Sequence, residues 1–293
     1  MSLTVGIPTY YGGPALISAI KSILASKGVG KLMIIVNIDG NPLQPEIEKE
    51  LKNLGVDVVF SAIRGGQVAR IKQMIPLTKS HLSVLTQDDI QFEPDALPKI
   101  IKAFQINPNL TMIGAKVLPA PAKTFFEKVV EVGVRLMLRT GGLWNNGDNY
   151  LMASGRCLGF RASFIKKFQI PDEVINSDAY LYFENKRLNG IFKHLPSAIV
   201  YNKSPQKLKE HLKQSRKFQF SKEELEKYLN IDLDKEYKIP ASIKIRAILY
   251  ELLSNFLNTT LYLLIFTYTR IRGKNMYSKA TRFWSTDLST KKV

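Results

Sequence analysis

The sequence predicts an α/β protein: a mostly parallel sheet with helices on both faces. Three observations carry this. Apolar runs of strand length alternate with helix-spaced apolar patterns over roughly the first hundred residues. The second run, 31–38, is almost wholly apolar, as in a strand buried on both faces. Pro8-Thr9, Asp39, Gly65-Gly66 and Asp88-Asp89 all fall where such runs end, and ligands of parallel sheets bind outside the carboxyl ends of the strands.

Leu3 to Ile7 reads as the first strand, followed by Pro8-Thr9-Tyr10-Tyr11-Gly12-Gly13 as a strand-end loop. Pro14 opens a helix to about Ser26, with Leu16, Ile17, Ile20, Ile23 and Leu24 at helical spacing. The second strand stops at the turn Asp39-Gly40-Asn41-Pro42, and a helix over 46–54 and a strand over 56–60 follow. Gly65-Gly66 leads into a helix ending near Pro76. The apolar run 83–86 is the fourth strand. It ends at two adjacent carboxylates, Asp88 and Asp89, a donor type suited to a hard divalent cation that shares its oxygens with a phosphate. A helix is expected over 97–104.

The second half is less regular. Strands are expected over 111–118 and 191–200, the latter interrupted at Pro196, and helices over 125–138, 162–168, 179–188 and 206–220. The polar, glycine-bearing stretch 141–149 reads as a candidate mobile loop. Residues 1–220 are expected as one catalytic domain, 221–240 as a linker, and 241–293 as an apolar, amphipathic region. Within 243–268 polar residues interrupt the apolar pattern, so in-plane or re-entrant membrane association is favoured over spanning. Arg270, Arg272, Lys274, Lys279 and Arg282 then suit an anionic leaflet, and Trp284 an interfacial position.

The 42 basic and 25 acidic residues give a formal charge of +17, which implies an anionic partner without naming it. A single cysteine, Cys157, excludes an internal disulfide framework and a CxxC zinc site. His81, His194 and His211 have no metal spacing. No GxGxxG follows the first strand and no GxxxxGK[ST] occurs, which argues against dinucleotide and P-loop sites. The N-terminus shows no basic segment followed by an apolar one, so no signal peptide is expected.

The motifs, in order, resemble those of family 2 glycosyltransferases of the GT-A fold, over about 3–220. The opening Val-Gly-Ile-Pro-Thr-Tyr-Tyr is similar to that family's first strand. Asp39 matches the Asp that contacts the nucleotide base, and Gly66-Gln67-Val68-Ala69-Arg70 the glycine-to-Ala-Arg segment near the nucleotide. Thr86-Gln87-Asp88-Asp89 occupies the place of the DxD element, with Thr86 where the first Asp is usual. Gly155-Arg156-Cys157-Leu158-Gly159-Phe160-Arg161 looks like the acceptor-side segment. Asn176-Ser177-Asp178 looks like the Glu-Asp element that carries the catalytic base. Gln214-Ser215-Arg216-Lys217-Phe218 is a relaxed QxxRW, which favours single additions over processive synthesis.

The resemblance implies inverting sugar transfer from a nucleotide-diphosphate sugar to an acceptor hydroxyl. Asp178 is then the general base. Pro8, Thr9, Tyr10, Asp39, Gly66, Arg70, Gln87 and Asp88 face the donor. Gly155, Cys157, Arg161, Gln214, Arg216 and Lys217 lie on the acceptor side, although Cys157 alone reads better as a small core residue. Asp88 and Asp89 are the expected ligands of Mg²⁺ or Mn²⁺. A glycan acceptor is expected, with a lipid-linked one at the cytoplasmic face of a membrane preferred. Nucleic acid is not an expected partner. Two other classes stay open from the residues alone. A nucleotidyltransferase would want a basic glycine-rich loop after the first strand, where Tyr10 to Pro14 has no Lys or Arg. A basic nucleic-acid-binding protein would rest on 203–220.

Overall fold

The computed structural model describes residues 1–219, 221–273 and Lys291, with side chains outside the description at 216–219 and 272–273. Trp284, Lys274, Lys279, Arg282 and the Arg272 side chain therefore lie outside the described residues.

The first half alternates as expected: β1 (Leu3–Thr9), α1 (Pro14–Leu24), β2 (Leu32–Asp39), α2 (Pro45–Asn53), β3 (Asp57–Ser61), α3 (Gly66–Leu77) and β4 (Leu82–Thr86). A three-residue β5 (Ile90–Phe92), α4 (Ala96–Ile106), β6 (Leu110–Pro119) and α5 (Phe125–Leu143) follow. Then come β7 (Cys157–Arg161), α6 (Ala162–Ile165), α7 (Ser177–Arg187) and β8 (Ile191–Asn202). The chain continues through α8 (Leu208–Gln219), α9 (Ser221–Leu229), α10 (Asp234–Tyr237), α11 (Ala241–Ser254) and α12 (Phe256–Gly273).

One eight-stranded sheet has the order β3-β2-β1-β4-β7-β6-β8-β5. It is mixed rather than mostly parallel. β1 pairs in parallel with β2 and β4, β2 with β3, and β6 with β8. β7 runs antiparallel between β4 and β6, and β5 antiparallel to β8. The glycine-bearing segment 155–161 hides β7 in the sequence, because Gly159 and Arg161 break the apolar pattern. That reversal positions the site. An antiparallel strand starts at the edge where its parallel neighbours end, so Thr86 pairs with Cys157 and the residues just before β7 lie beside those just after β4.

Each face of the sheet carries its own core. Leu16, Ile20, Leu97, Ile100 and Phe104, from α1 and α4, pack on one face. Met74, Tyr182, Phe183, Leu225 and Leu229, from α3, α7 and α9, pack on the other. Where the sequence suggests a linker, α9 and α10 sit on this second core, with Leu225 and Leu233 fully buried. The stretch 141–149 is not a free loop. Asn149 Nδ2 donates to the carbonyls of Gly141 and Trp144, both at 2.7 Å, and Trp144 is buried. Asn145 and Asn146 take φ of 48° and 53°, a conformation Asn tolerates better than most residues.

No helix among the described residues is long and apolar enough to cross a membrane. α11 and α12 lie against α5. Buried Glu251 of α11 accepts from Arg135 Nε at 2.9 Å and Arg139 Nε at 2.6 Å. Tyr262 of α12 presses against Gly133, where a Cβ would lie 2.3 Å from its hydroxyl.

Candidate active site

The site is built at the carboxyl edge of β1, β2 and β4. At the end of β1, buried Thr9 donates from Oγ1 to Asp88 Oδ2 at 2.5 Å and accepts from the Gly12 amide at 3.0 Å. The chain turns at Gly12 with φ of 56°, a conformation that suits glycine. Asp88 is thereby held by one oxygen and turns the other, Oδ1, toward the Lys291 ammonium. Lys291 Nζ also lies 2.8 Å from Asp89 Oδ2. Asp89 Oδ1 is buried without a hydrogen-bond partner among the described residues. Burial alone would lower the Lys291 pKa; Asp88 and Asp89 reverse this and hold it above its ordinary value.

Thr86 does not stand in for the missing carboxylate. Its hydroxyl donates to the Arg156 carbonyl at 2.6 Å and ties the end of β4 to the start of β7. Gln87 is half-buried beside it.

At the end of β2, Asp39 is wholly buried and organises the glycine turn. Oδ1 accepts from the Gly65 amide at 2.7 Å, and Oδ2 from the Gly66 amide at 3.0 Å. Arg70 Nε stands 3.3 Å from Oδ1. Arg70 is itself buried, and its Nη1 has no hydrogen-bond partner among the described residues. Pro8 is buried within β1, while half-buried Tyr10 stacks under Arg64, whose guanidinium lies 3.9 Å from the ring centre.

Asp178 lies in the first turn of α7 and accepts from the Ser177 hydroxyl at 3.1 Å. Gly155 abuts its carboxylate so closely that a Cβ would sit 2.1 Å from Oδ1. The start of α7 is pinned from α9: the Glu224 carboxylate accepts from the Ile175 amide at 2.5 Å and the Asn176 amide at 3.1 Å.

The residue that sequence reasoning passed over is Arg156. Burial pushes its guanidinium below the usual range, against the pull of Asp178 and Asp89. Its Nε is buried without a hydrogen-bond partner among the described residues. It therefore links the carboxylate of Asp178 on α7 electrostatically to one at the end of β4. The motif 155–161 was the available signal.

Several nominated residues stand elsewhere. Cys157 is sealed in the core, and burial pushes its thiol up to about 12. Arg161 clamps the α4–β6 connection, donating to the carbonyls of Leu110, Phe104 and Asn107 at 2.7, 2.7 and 2.9 Å. Gln214 is half-buried on α8; the Arg216 and Lys217 side chains lie outside the described residues. A separate acidic group, Glu226, Asp232 and Asp234, lies on the surface, where Lys222 pairs with Glu226 and Asp234.

Comparison with known proteins fits this geometry. The sequence profile described as Glycosyl transferase family 2 matches residues 4–168, more than half of the chain. The chain belongs to this family. It is a glycosyltransferase, and its mixed α/β sheet is consistent with the GT-A fold. Solved structures share the fold at low identity. A mannosyltransferase from Pyrobaculum calidifontis, PcManGT, in complex with GDP-Man and Mn²⁺, is 13% identical with a TM-score of 0.64, covering 94% of this chain and 87% of that one. TarS 1–349 of S. aureus with UDP-GlcNAc is 13% identical, TM-score 0.56, covering 85% and 80%. Glucosyl-3-phosphoglycerate synthase from Mycobacterium tuberculosis, with Mn²⁺, UDP-Glc and phosphoglyceric acid, is 14% identical, TM-score 0.54, covering 78% and 80%. No curated protein sequence matches the chain significantly.

Proposed function

We propose that this glycosyltransferase moves a sugar from a nucleoside-diphosphate donor to an acceptor hydroxyl in one inverting step. The observation that supports it most is the joining of two carboxylate sites at one sheet edge, Asp88-Asp89 after β4 and Asp178 on α7, through Gly155 and Arg156. Asp178 accepts the proton of the acceptor hydroxyl as its oxygen attacks the anomeric carbon. The bond to the diphosphate breaks on the opposite face, and the nucleoside diphosphate leaves with the electron pair. Arg156 places positive charge behind that exchange, between the base and the donor carboxylates. Arg70, whose Nη1 has no hydrogen-bond partner among the described residues, and the Tyr10–Arg64 stack border the nucleotide end.

Asp88 Oδ1 and the two oxygens of Asp89 fit a hard divalent cation, since one Asp89 oxygen lacks a hydrogen-bond partner among the described residues and a lysine ammonium stands in for a cation at the others. Held there, Mg²⁺ or Mn²⁺ would supply positive charge to the departing diphosphate. The donors named for PcManGT, TarS and the synthase are GDP- and UDP-sugars, which sets the first panel to try. Calorimetric titration with nucleoside diphosphates and Mn²⁺ tests the reading. Binding of one nucleotide that Arg70→Ala weakens supports it. Failure of every nucleotide to bind counts against it.

The same proposal places the enzyme on a membrane surface at its cytoplasmic face, with a lipid-linked glycan as the preferred acceptor. Ile245, Leu249 and Leu253 form one exposed stripe on α11, and Leu257, Leu264 and Ile271 another on α12. Lys244, Arg246 and Arg270 are exposed near them, as an anionic leaflet would favour. Co-sedimentation with anionic vesicles, lost in Leu253→Glu/Leu264→Glu at unchanged melting temperature, supports this. Equal binding of the variant defeats it.

A further inference from the structure

We infer that Lys291 competes with the divalent cation for the donor site, so that its ammonium must leave the two carboxylates before metal and nucleotide-sugar can bind. The inference rests on the reading of Asp88 and Asp89 as the cation ligands. It adds an occupant that the chain itself provides.

The geometry follows from which oxygens are free. Thr9 already occupies Asp88 Oδ2, which leaves Oδ1 facing outward. That oxygen and Asp89 Oδ2 both bind the Lys291 ammonium. A divalent cation held by Asp88 and Asp89 would draw on the Asp88 oxygen that Thr9 leaves open, and would therefore compete with the Lys291 ammonium for it. Thr86, committed to the Arg156 carbonyl, offers no third carboxylate that would let them share.

The contact is a closed one. The Lys291 side chain is 16% exposed and the two carboxylates 9% each, so the pairs are largely withdrawn from water. Two adjacent carboxylates in such a place repel each other unless a cation sits on them. In the donor-free chain Lys291 meets that need. A divalent ion carries twice the charge and also gathers the diphosphate oxygens, so donor and metal together displace a single ammonium. Linkage is reciprocal: whatever the ammonium gains at the two carboxylates is subtracted from metal affinity.

The test reads metal binding, not turnover. Free Mn²⁺ is followed by electron paramagnetic resonance for the full chain without donor, in wild type, Lys291→Gln, Lys291→Arg and Asp88→Asn. Competition predicts that Lys291→Gln binds Mn²⁺ at least about fivefold more tightly than wild type, with Lys291→Arg near wild type. It also predicts that Asp88→Asn abolishes the site. Equal affinity in wild type and Lys291→Gln overturns the competition while leaving the metal reading intact. Weaker binding in Lys291→Gln overturns it in the other direction, making Lys291 an ally of the metal. No Mn²⁺ bound by Lys291→Gln overturns both the competition and the metal assignment. The glycosyltransferase assignment stands or falls separately, on donor turnover.

Discussion

Gly155 lies against the carboxylate of Asp178: a methyl group built on its α-carbon would sit 2.1 Å from Oδ1 and 2.8 Å from Oδ2. The carboxylate is the end of a side chain, so Gly155→Ala is accommodated by swinging Asp178 aside rather than by unfolding. A base displaced by about 1 Å loses on the order of a hundredfold in rate. The variant is expected to show kcat down by about that factor, donor KM within about twofold, and a melting temperature close to wild type. Unchanged kcat would remove Asp178 from the chemistry.

Acid sensitivity follows from His194 on β8. Burial, with a smaller effect of Lys116, lowers its pKa from 6.5 to about 4, and its Nε2 has no hydrogen-bond partner among the described residues. The unfolded chain therefore binds a proton that the folded chain refuses between those values. Stability is at its full value above about pH 6.5 and falls as pH drops toward 4. Urea midpoints at pH 7 and pH 4.5 should differ less in His194→Gln than in wild type; equal differences would contradict the assignment.

Glu251 is the electrostatic fastening of the C-terminal helices. It is buried, while Arg135 and Arg139 are about one-third exposed, so solvent softens the loss when the pair is broken. Glu251→Gln should cost about 1–3 kcal/mol. The loss should appear as faster amide exchange in α11 and α12, with β1, β2 and β4 unaffected. Uniform exchange across the chain would show that these helices are held by other contacts.

The first half was legible because each of its strands is an apolar run closed by a turn residue, and each helix shows its period. The positions of Asp88 just after β4 and of Asp178 in the first turn of α7 were legible through residue type and order. Three features were not. β7 carries a glycine and an arginine, and only pairing between β4 and β6 makes it a strand. Arg156 sits beside Gly155 in what reads as a turn, and its importance comes from the carboxylates that the sheet brings to it. Lys291 is some two hundred residues from Asp88, and no local pattern announces a contact at that separation. Conversely, Cys157 and Arg161 have suggestive types and places, yet one faces the core and the other holds main-chain carbonyls.

The most direct measurement is donor turnover: release of nucleoside diphosphate from a panel of GDP- and UDP-sugars with Mn²⁺ or Mg²⁺, for wild type, Asp88→Asn and Asp178→Asn. One donor should be slowly hydrolysed by wild type, with water in the acceptor's place. Both variants should lose this by about two orders of magnitude or more, while Asp178→Asn still binds the nucleotide. Turnover that survives in Asp178→Asn would contradict the assigned base, and survival in Asp88→Asn would contradict the assigned donor site.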